Sequence, residues 1–260
     1  MNLIAIDIGN TNINIALFLD SEQKSVTPIP GSSPEKISQT ITRMWNRIPT
    51  LQSSREGKRD GAIAVSSVNT KWTKMVKDIV QELNENIYLI GKDIPYPMDL
   101  SVKEPEKIVS DRVVSAAAAY AVIESAVVIA DLGTAVTIDL VDDRGVFVGG
   151  TISPGFDISS SALEKNTCLL KKTAVSRPKT PFGTTTKEAI NCGLYYSAVG
   201  TLNEIIRRYA ELLGTWPRTV ITGAGAEIIK QDCEFIDSYV PDLVIKGIAL
   251  SYQKYIEGRE

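Results

Sequence analysis

The sequence predicts an α/β protein of two related domains with a cleft between the halves, and three observations carry that expectation. Two distant stretches, Leu3-Ile4-Ala5-Ile6-Asp7-Ile8-Gly9-Asn10-Thr11-Asn12 and Val127-Val128-Ile129-Ala130-Asp131-Leu132-Gly133-Thr134-Ala135-Val136-Thr137, are written nearly alike. Each is an apolar run of strand length, then Asp-x-Gly-(Asn/Thr), then β-branched and apolar residues again. Each also opens a half in which strands come first and helices then alternate with strands. The length of 260 residues suffices for two domains of ordinary size.

In the first half, strands are expected at about 3–8 and 12–19, joined by Gly9-Asn10-Thr11 and followed by a polar segment. Ser33-Pro34-Glu35-Lys36 starts a helix through Ile37, Ile41 and Trp45, with Ser33 as its cap and Pro34 in the first position. Residues 50–60 read as a polar loop, and Gly61–Val68 as a strand. Asn69 or Thr70 caps a helix over 71–84, and Ile87–Ile90 is another strand. Past Pro95 and Pro97, a loop ends in Val109-Ser110-Asp111-Arg112, and an Ala-rich helix runs to Glu124. The second half repeats the plan with a meander at about 126–131, 135–141 and 146–152, turned by Asp142-Asp143-Arg144-Gly145. A helix over 157–167, a Lys/Arg/Pro-rich loop at 171–182 and a long helix over 184–213 follow. Thr219–Thr222 is a strand leading into Gly223-Ala224-Gly225-Ala226. A helix, a short strand near Phe235-Ile236-Asp237 and a last helix at 241–256 complete the chain. The expected domains are 1–115 and 116–260, with the last helix free to pack back on the first.

Composition excludes several classes. A net charge of −3 and a pI near 5.3 argue against nucleic-acid binding, which usually needs a basic face. Cys168, Cys192 and Cys233 are odd in number and scattered, which points to reduced thiols and to neither a disulfide framework nor a zinc site. Both they and the tryptophans read as packing residues. The most apolar stretch, Val113–Ala130, is interrupted by Ser115, Tyr120, Glu124 and Ser125, and is too short to span a membrane. The first residues carry no basic n-region or cleavage site, so no secretory signal is expected and the protein is expected to be cytoplasmic. There is no histidine. Proton chemistry therefore falls to Asp, Glu, Lys, Tyr or Cys, and a divalent metal would be Mg²⁺ on oxygen ligands.

The paired turns suit a phosphate–metal complex. Glycine admits a close backbone approach, and Asp7 and Asp131, each at a strand end, would hold Mg²⁺ directly or through water. Asn10, Thr11 and the N–H groups of Gly9, Gly133 and Thr134 would contact phosphate oxygens. One copy alone reads as an ordinary tight hairpin; two copies point to a phosphate chain gripped from both sides.

These turns resemble the phosphate loops of the acetate and sugar kinase/Hsp70/actin superfamily, and Asp7-Ile8-Gly9-Asn10-Thr11-Asn12 resembles the signature of type III pantothenate kinase. The resemblance continues in family order along nearly the whole chain. It takes in Ser110-Asp111-Arg112, Asp131–Thr137, Gly149-Gly150-Thr151-Ile152-Ser153-Pro154-Gly155, Pro181–Ile190 with Gly193, Thr222-Gly223, and Pro241-Asp242-Leu243 with Gly247. It implies two duplicated ribonuclease H-like (actin-like ATPase) domains. It also implies ATP-dependent phosphorylation of the primary hydroxyl of pantothenate, the first step toward coenzyme A. Asp7, Gly9, Asn10, Thr11, Asn12, Gly133, Thr134, Thr222 and Gly223 would then bind the nucleotide, and Asp111 would be the general base. Ser110, Arg112 and Thr186 would contact pantothenate. A homodimer with acceptor sites near its interface and a monovalent cation, K⁺ or NH₄⁺, belong to the same implication.

From the residues alone, other roles stand beside these. Asp111 lies just ahead of the Ala-rich helix and reads equally as its N-cap. Arg112 reads as a bidentate carboxylate binder or as a structural ion pair. Capping the long helix would by itself explain Thr186, and Thr222-Gly223-Ala224-Gly225 is also a plain strand-to-helix turn. Lys171, Lys172, Arg177 and Lys179 read as a solvated loop. The family's Tyr and Asn-Pro upstream of the base are here Val102 and Glu104-Pro105, its Gly is Val109, and its Asn after the Arg is Ser115. The Gly-Gly after Thr222 is Gly223-Ala224. The donor side is thus kept while the acceptor side departs. A kinase of another small hydroxy acid, or a non-enzymatic nucleotide-binding regulator, stays open; intact Asp7, Asp111 and Asp131 count against the regulator.

Overall fold

The same sheet is built twice. The computed structural model describes residues 1–51 and 58–259. Its first sheet has strands β1 (Leu3–Ile8), β2 (Asn12–Leu19), β3 (Glu22–Pro30), β4 (Ala62–Ser67) and β5 (Ile87–Leu89), in the order β3-β2-β1-β4-β5. The second has β6 (Val127–Leu132), β7 (Ala135–Val141), β8 (Phe147–Pro154), β9 (Arg218–Thr222) and β10 (Ser238–Tyr239), in the matching order β8-β7-β6-β9-β10. In each, three strands form an antiparallel meander, and the fourth and fifth run parallel to the first. Parallel neighbours need crossovers, which helices supply. In the first sheet these are α1 (Pro34–Trp45) and α2 (Thr70–Gln81). In the second they are α4 (Phe156–Asn166) with α5 (Thr186–Leu213), and α6 (Ala226–Ile229). In chain order helix α3 (Ser110–Ile123) follows β5 and precedes β6, and α7 (Leu243–Glu257) is the last element. This is the duplicated ribonuclease H-like fold.

By its contacts the chain divides into two compact units. The first comprises Met1–Asp99, Glu104–Ala118 and the chain from Val244 onward; the second comprises Leu100–Lys103 and Ala119–Leu243. In the first unit β1 is buried on both faces, which is why its apolar run is continuous rather than alternating. Ile4, Ile6 and Ile8 pack with Ile37 and Ile41 of α1 and Val76 and Val80 of α2. Leu3 and Ala5 face the other way, toward Val114 of α3 and Ile245 and Ile248 of α7. In the second unit Val128, Ala130 and Leu132 pack with Tyr195, Leu202 and Ile206 of α5 and Ile229 of α6.

Several expectations need correction. The polar segment after β2 is the strand β3, of which Ile29 is the only buried residue. An edge strand of that kind carries no apolar alternation to read. Its hairpin turns on Asp20 and Ser21 at φ of 52° and 66°, the left-handed pair that matches strand twist. Of the loop expected at 50–60, positions 52–57 lie outside the described residues, and Thr50 and Arg59 on its flanks pair as an antiparallel bridge. The last short strand falls at Ser238–Tyr239 rather than 235–237; Asp237 instead accepts from Thr219 N through its carboxylate at 2.8 Å. Ser33 makes no side-chain capping bond, whereas Asn69 Oδ1 accepts from Trp72 N at 3.2 Å. Two supposed packing residues are exposed: Cys168, and Trp216, which stacks on Phe235 at the surface. No described helix is long and apolar enough to cross a membrane.

Candidate active site

In the first unit, strand register assembles the neighbours of Asp7. Asp7 lies opposite Asn14 on antiparallel β2 and beside Ser66 on parallel β4. Asn14 Nδ2 donates to Asp7 Oδ2 at 3.0 Å. Ser66 Oγ and the buried Ser110 Oγ are 2.8 Å apart, and Ser67 N donates to Ser110 Oγ at 3.2 Å. These bonds pin the first residue of α3 to the strand next to Asp7, and they bring the Asp111 carboxylate into electrostatic range of Asp7. Burial pushes the Asp7 carboxyl up to about 7; the Asn14 amide opposes that rise and the Asp111 charge adds to it. Burial likewise raises the Asp111 carboxyl, against the backbone N–H and guanidinium of Arg112.

Asp111 is not the N-cap. It lies inside the first turn of α3, and its Oδ1 accepts from Arg112 N at 2.7 Å. Ser115, where the family pattern has Asn, is buried and donates to the carbonyls of Asp111 at 2.6 Å and Arg112 at 3.2 Å, bracing that turn. Val109, where the pattern has Gly, is not among the residues with positive φ, so no glycine is required there. Ser66 and Asn14 are the site residues that motif reading missed. Asn14 was accessible from the hairpin register, since a turn centred on Asn10-Thr11 sets position 7 against 14. Ser66 gave no signal beyond lying near the end of a strand.

The second unit repeats the arrangement. Asp131 lies opposite Thr137 on β7 and beside Thr222 on β9, the counterparts of Asn14 and Ser66. The turn after it is one residue shorter: Gly133 N donates to the Ala135 carbonyl at 3.0 Å, whereas Gly9 N donates to that of Asn12 at 3.0 Å. Asn10, Thr11, Asn12, Gly133 and Thr134 are all exposed at these turns. Gly223 sits at φ 87°, and a side chain on it would meet the Asp131 carboxylate and come within 2.7 Å of the Leu132 carbonyl carbon. Only glycine fits. Thr222 is buried, so the edge beyond β9 is the half-buried Gly223 and the exposed Ala224.

Thr186 is exposed and helical, and it is not the cap of α5. Thr185 is, with Glu188 N donating to Thr185 Oγ1 at 3.2 Å and Thr185 N to Glu188 Oε2 at 3.1 Å, a reciprocal capping box. Arg177 is likewise more than a solvated loop residue. It binds Asp232 through two nitrogens, and Asp232 also accepts from the Tyr195 hydroxyl.

The donor set fits Mg²⁺ bound with a nucleotide. Among the described residues no three His, Cys, Asp or Glu converge on one point. One or two carboxylates completed by phosphate oxygens is how Mg²⁺ is usually held at such sites. A cation beside Asp7 would also offset the cost of ionising it.

A family model of type III pantothenate kinase matches residues 3–208. The type III pantothenate kinase of Bifidobacterium longum is 31% identical over 256 residues, covering 98% of this chain and 100% of that protein. That of Agathobacter rectalis is 30% identical over 253 residues, covering 97% of each. Among solved structures, a Campylobacter jejuni protein described as of a Baf family of transcriptional activators aligns with a TM-score of 0.60 at 18% identity, covering 98% of each chain. The ethanolamine utilization protein EutJ of Carboxydothermus hydrogenoformans aligns at 0.52 and 13%, covering 96% of this chain and 89% of that one. At those identities the two structures speak to the fold alone.

Proposed function

The chain belongs to the type III pantothenate kinase family, and from that premise we propose that Asp111 is the general base of the reaction. The protein transfers a phosphoryl group from ATP to pantothenate in coenzyme A biosynthesis. In this reading the primary hydroxyl of pantothenate attacks the γ-phosphorus. Its proton passes to the Asp111 carboxylate as the new O–P bond forms and the bond to the departing ADP breaks. Asp7 and Asp131 are the residues that would hold Mg²⁺, which when bound neutralises phosphate charge. The exposed Asn10, Thr11, Asn12, Gly133 and Thr134 hold phosphate oxygens, and the backbone at Thr222-Gly223 faces the nucleoside. Arg112 takes the substrate carboxylate, with Ser110 and Thr186 as further acceptor contacts.

The observation that carries this reading is the placement of Asp111 beside Asp7, tied by the Ser66–Ser110 bond. Burial raises the proton affinity of Asp111, which suits a carboxylate that must accept a proton near neutral pH. The family resemblance further supports a cytoplasmic homodimer and a requirement for K⁺ or NH₄⁺, checked by comparing turnover in K⁺, NH₄⁺ and Na⁺ salts. Replacing Asp111 by Asn should lower kcat by roughly 10²–10⁴-fold with little change in KM for ATP. Steady-state ADP release with pantothenate measures both, and undiminished kcat in that variant would remove Asp111 as the base.

A further inference from the structure

Resting on Asp111 as the base, we propose that Tyr96 is a positioning residue for it, through the hydroxyl that Tyr96 donates to the segment leading into α3. Tyr96 Oη donates to the Ile108 carbonyl at 3.3 Å, three residues ahead of Asp111. The ring is half-buried against the cluster of Leu3, Ala5, Val114, Ile245 and Ile248, the face of the first sheet on which α3 and α7 pack. The backbone next to it is tethered too: Lys254 Nζ of α7 donates to the carbonyl of Pro97, the following residue, at 3.0 Å. Tyr96 therefore links a fixed core to the one end of the Ile108–Asp111 segment that the Ser66–Ser110 bond does not hold.

Two facts make the hydroxyl, and not only the ring, the working part. Ile108 is followed by Val109, which is 38% exposed and belongs to none of the described hydrophobic clusters, so the carbonyl bond anchors the lead-in to the base on that side. Burial and the charge of Asp111 both raise the Tyr96 phenol, which keeps it a neutral donor throughout the pH range of a kinase assay. A base must sit within hydrogen-bond reach of the proton it takes, and small displacements of such a group cost rate rather than nucleotide affinity.

The test compares wild type, Tyr96→Phe, Tyr96→Ala and Asp111→Asn in the full-length protein, reading kcat, KM for ATP and thermal midpoint. Tyr96→Phe keeps the ring and is expected to lower kcat by about 10-fold while leaving KM for ATP and the midpoint in place. Tyr96→Ala should lower both kcat and the midpoint. If Tyr96→Phe restores wild-type kcat while Asp111→Asn is inactive, the hydroxyl has no positioning role and the proposal fails alone. If Tyr96→Phe lowers kcat, midpoint and ATP affinity together, the effect is structural and the proposal also fails. Full activity in Asp111→Asn would overturn the base and the proposal together.

Discussion

At about pH 8 the Asp7 side chain is ionised at a cost, because burial and the neighbouring Asp111 hold its folded-state proton tightly while the unfolded chain releases it at the ordinary carboxylate value. The sign follows from the raised pKa. Below 3.8 both states keep the proton and the fold loses nothing; stability then falls as pH rises, and the loss is complete above about 7. The full penalty is at most about 4 kcal/mol, taking roughly 1.4 kcal/mol per unit. Asp7→Asn should therefore melt several degrees higher than wild type at about pH 8, match it at about pH 4, and lose kinase activity. Melting scans without nucleotide at the two pH values check this, and equal midpoints at both would refute the cost assigned to Asp7. Gly223→Ala is the companion on the nucleotide side. Its Cβ has no room beside Asp131 and its φ is 87°, so the variant should bind ATP at least about 10-fold more weakly by calorimetry. The strand-end places of Asp7 and Asp131 were legible because the Asp-x-Gly turn occurs twice, and that of Gly223 because Thr222-Gly223 ends an apolar run. Ser66 and Tyr96 were not legible, because each meets Asp111 or its lead-in only through folding across a long sequence separation.

The elements were legible where a periodic face and a terminator coincide, as in α1, α2, the β1–β2 hairpin and the second meander. They were misread where one of these was absent. The strand β3 hides because it is mostly polar and its one buried residue, Ile29, is flanked by the exposed Pro28 and Pro30. The cap of α5 was misplaced by one residue because Thr184, Thr185 and Thr186 are all competent caps, and only Glu188 decides among them: the box needs the Glu three residues on, which selects Thr185. That one-residue shift separates two roles which sequence reading had merged in Thr186. Thr185→Ala should cost about 1 kcal/mol and lower the melting midpoint by roughly 2–4 °C, without changing KM for pantothenate. Thr186→Ala should leave the midpoint alone and raise that KM by up to about 10-fold, the loss of one hydrogen bond to the acceptor. Thermal melts and pantothenate titrations of the pair separate the two roles. The acceptor contact is wrong if Thr186→Ala binds pantothenate as wild type does.

At the scale of the whole molecule the duplication was written in the sequence, since the two Asp-Gly turns head sheets of the same order. The place of α7 was less legible: an amphipathic helix does not name the sheet it will cover. Gly247 settles it locally, because a side chain there would lie 2.8 Å from Val114 Cβ and closer still to the Val114 carbonyl, so α7 and α3 meet in the first unit with backbone almost in contact. Other glycines lack such a reason within the chain. Along α5, Ala189, Gly193, Tyr196, Gly200 and Asn203 recur at alternating spacings of four and three, the first four exposed, and the Asn203 Oδ1 atom is buried with no partner among the described residues. A Cβ at Gly193 or Gly200 would meet nothing within 4 Å, although glycine inside a helix costs about 1 kcal/mol relative to alanine. A helix that keeps two such glycines on one stripe is suited to the close approach of another helix, and in a proposed homodimer that helix is the same one from a second copy. Gly193→Leu then has opposite effects on the two levels of structure. Within one chain it should be tolerated or mildly stabilising, since the space is open and leucine is the better helix former. Between chains it should block the approach and shift the protein from dimer to monomer in sedimentation equilibrium. A wild-type protein that sediments as a monomer ends the homodimer reading, and a Gly193→Leu protein that stays dimeric moves the interface off α5.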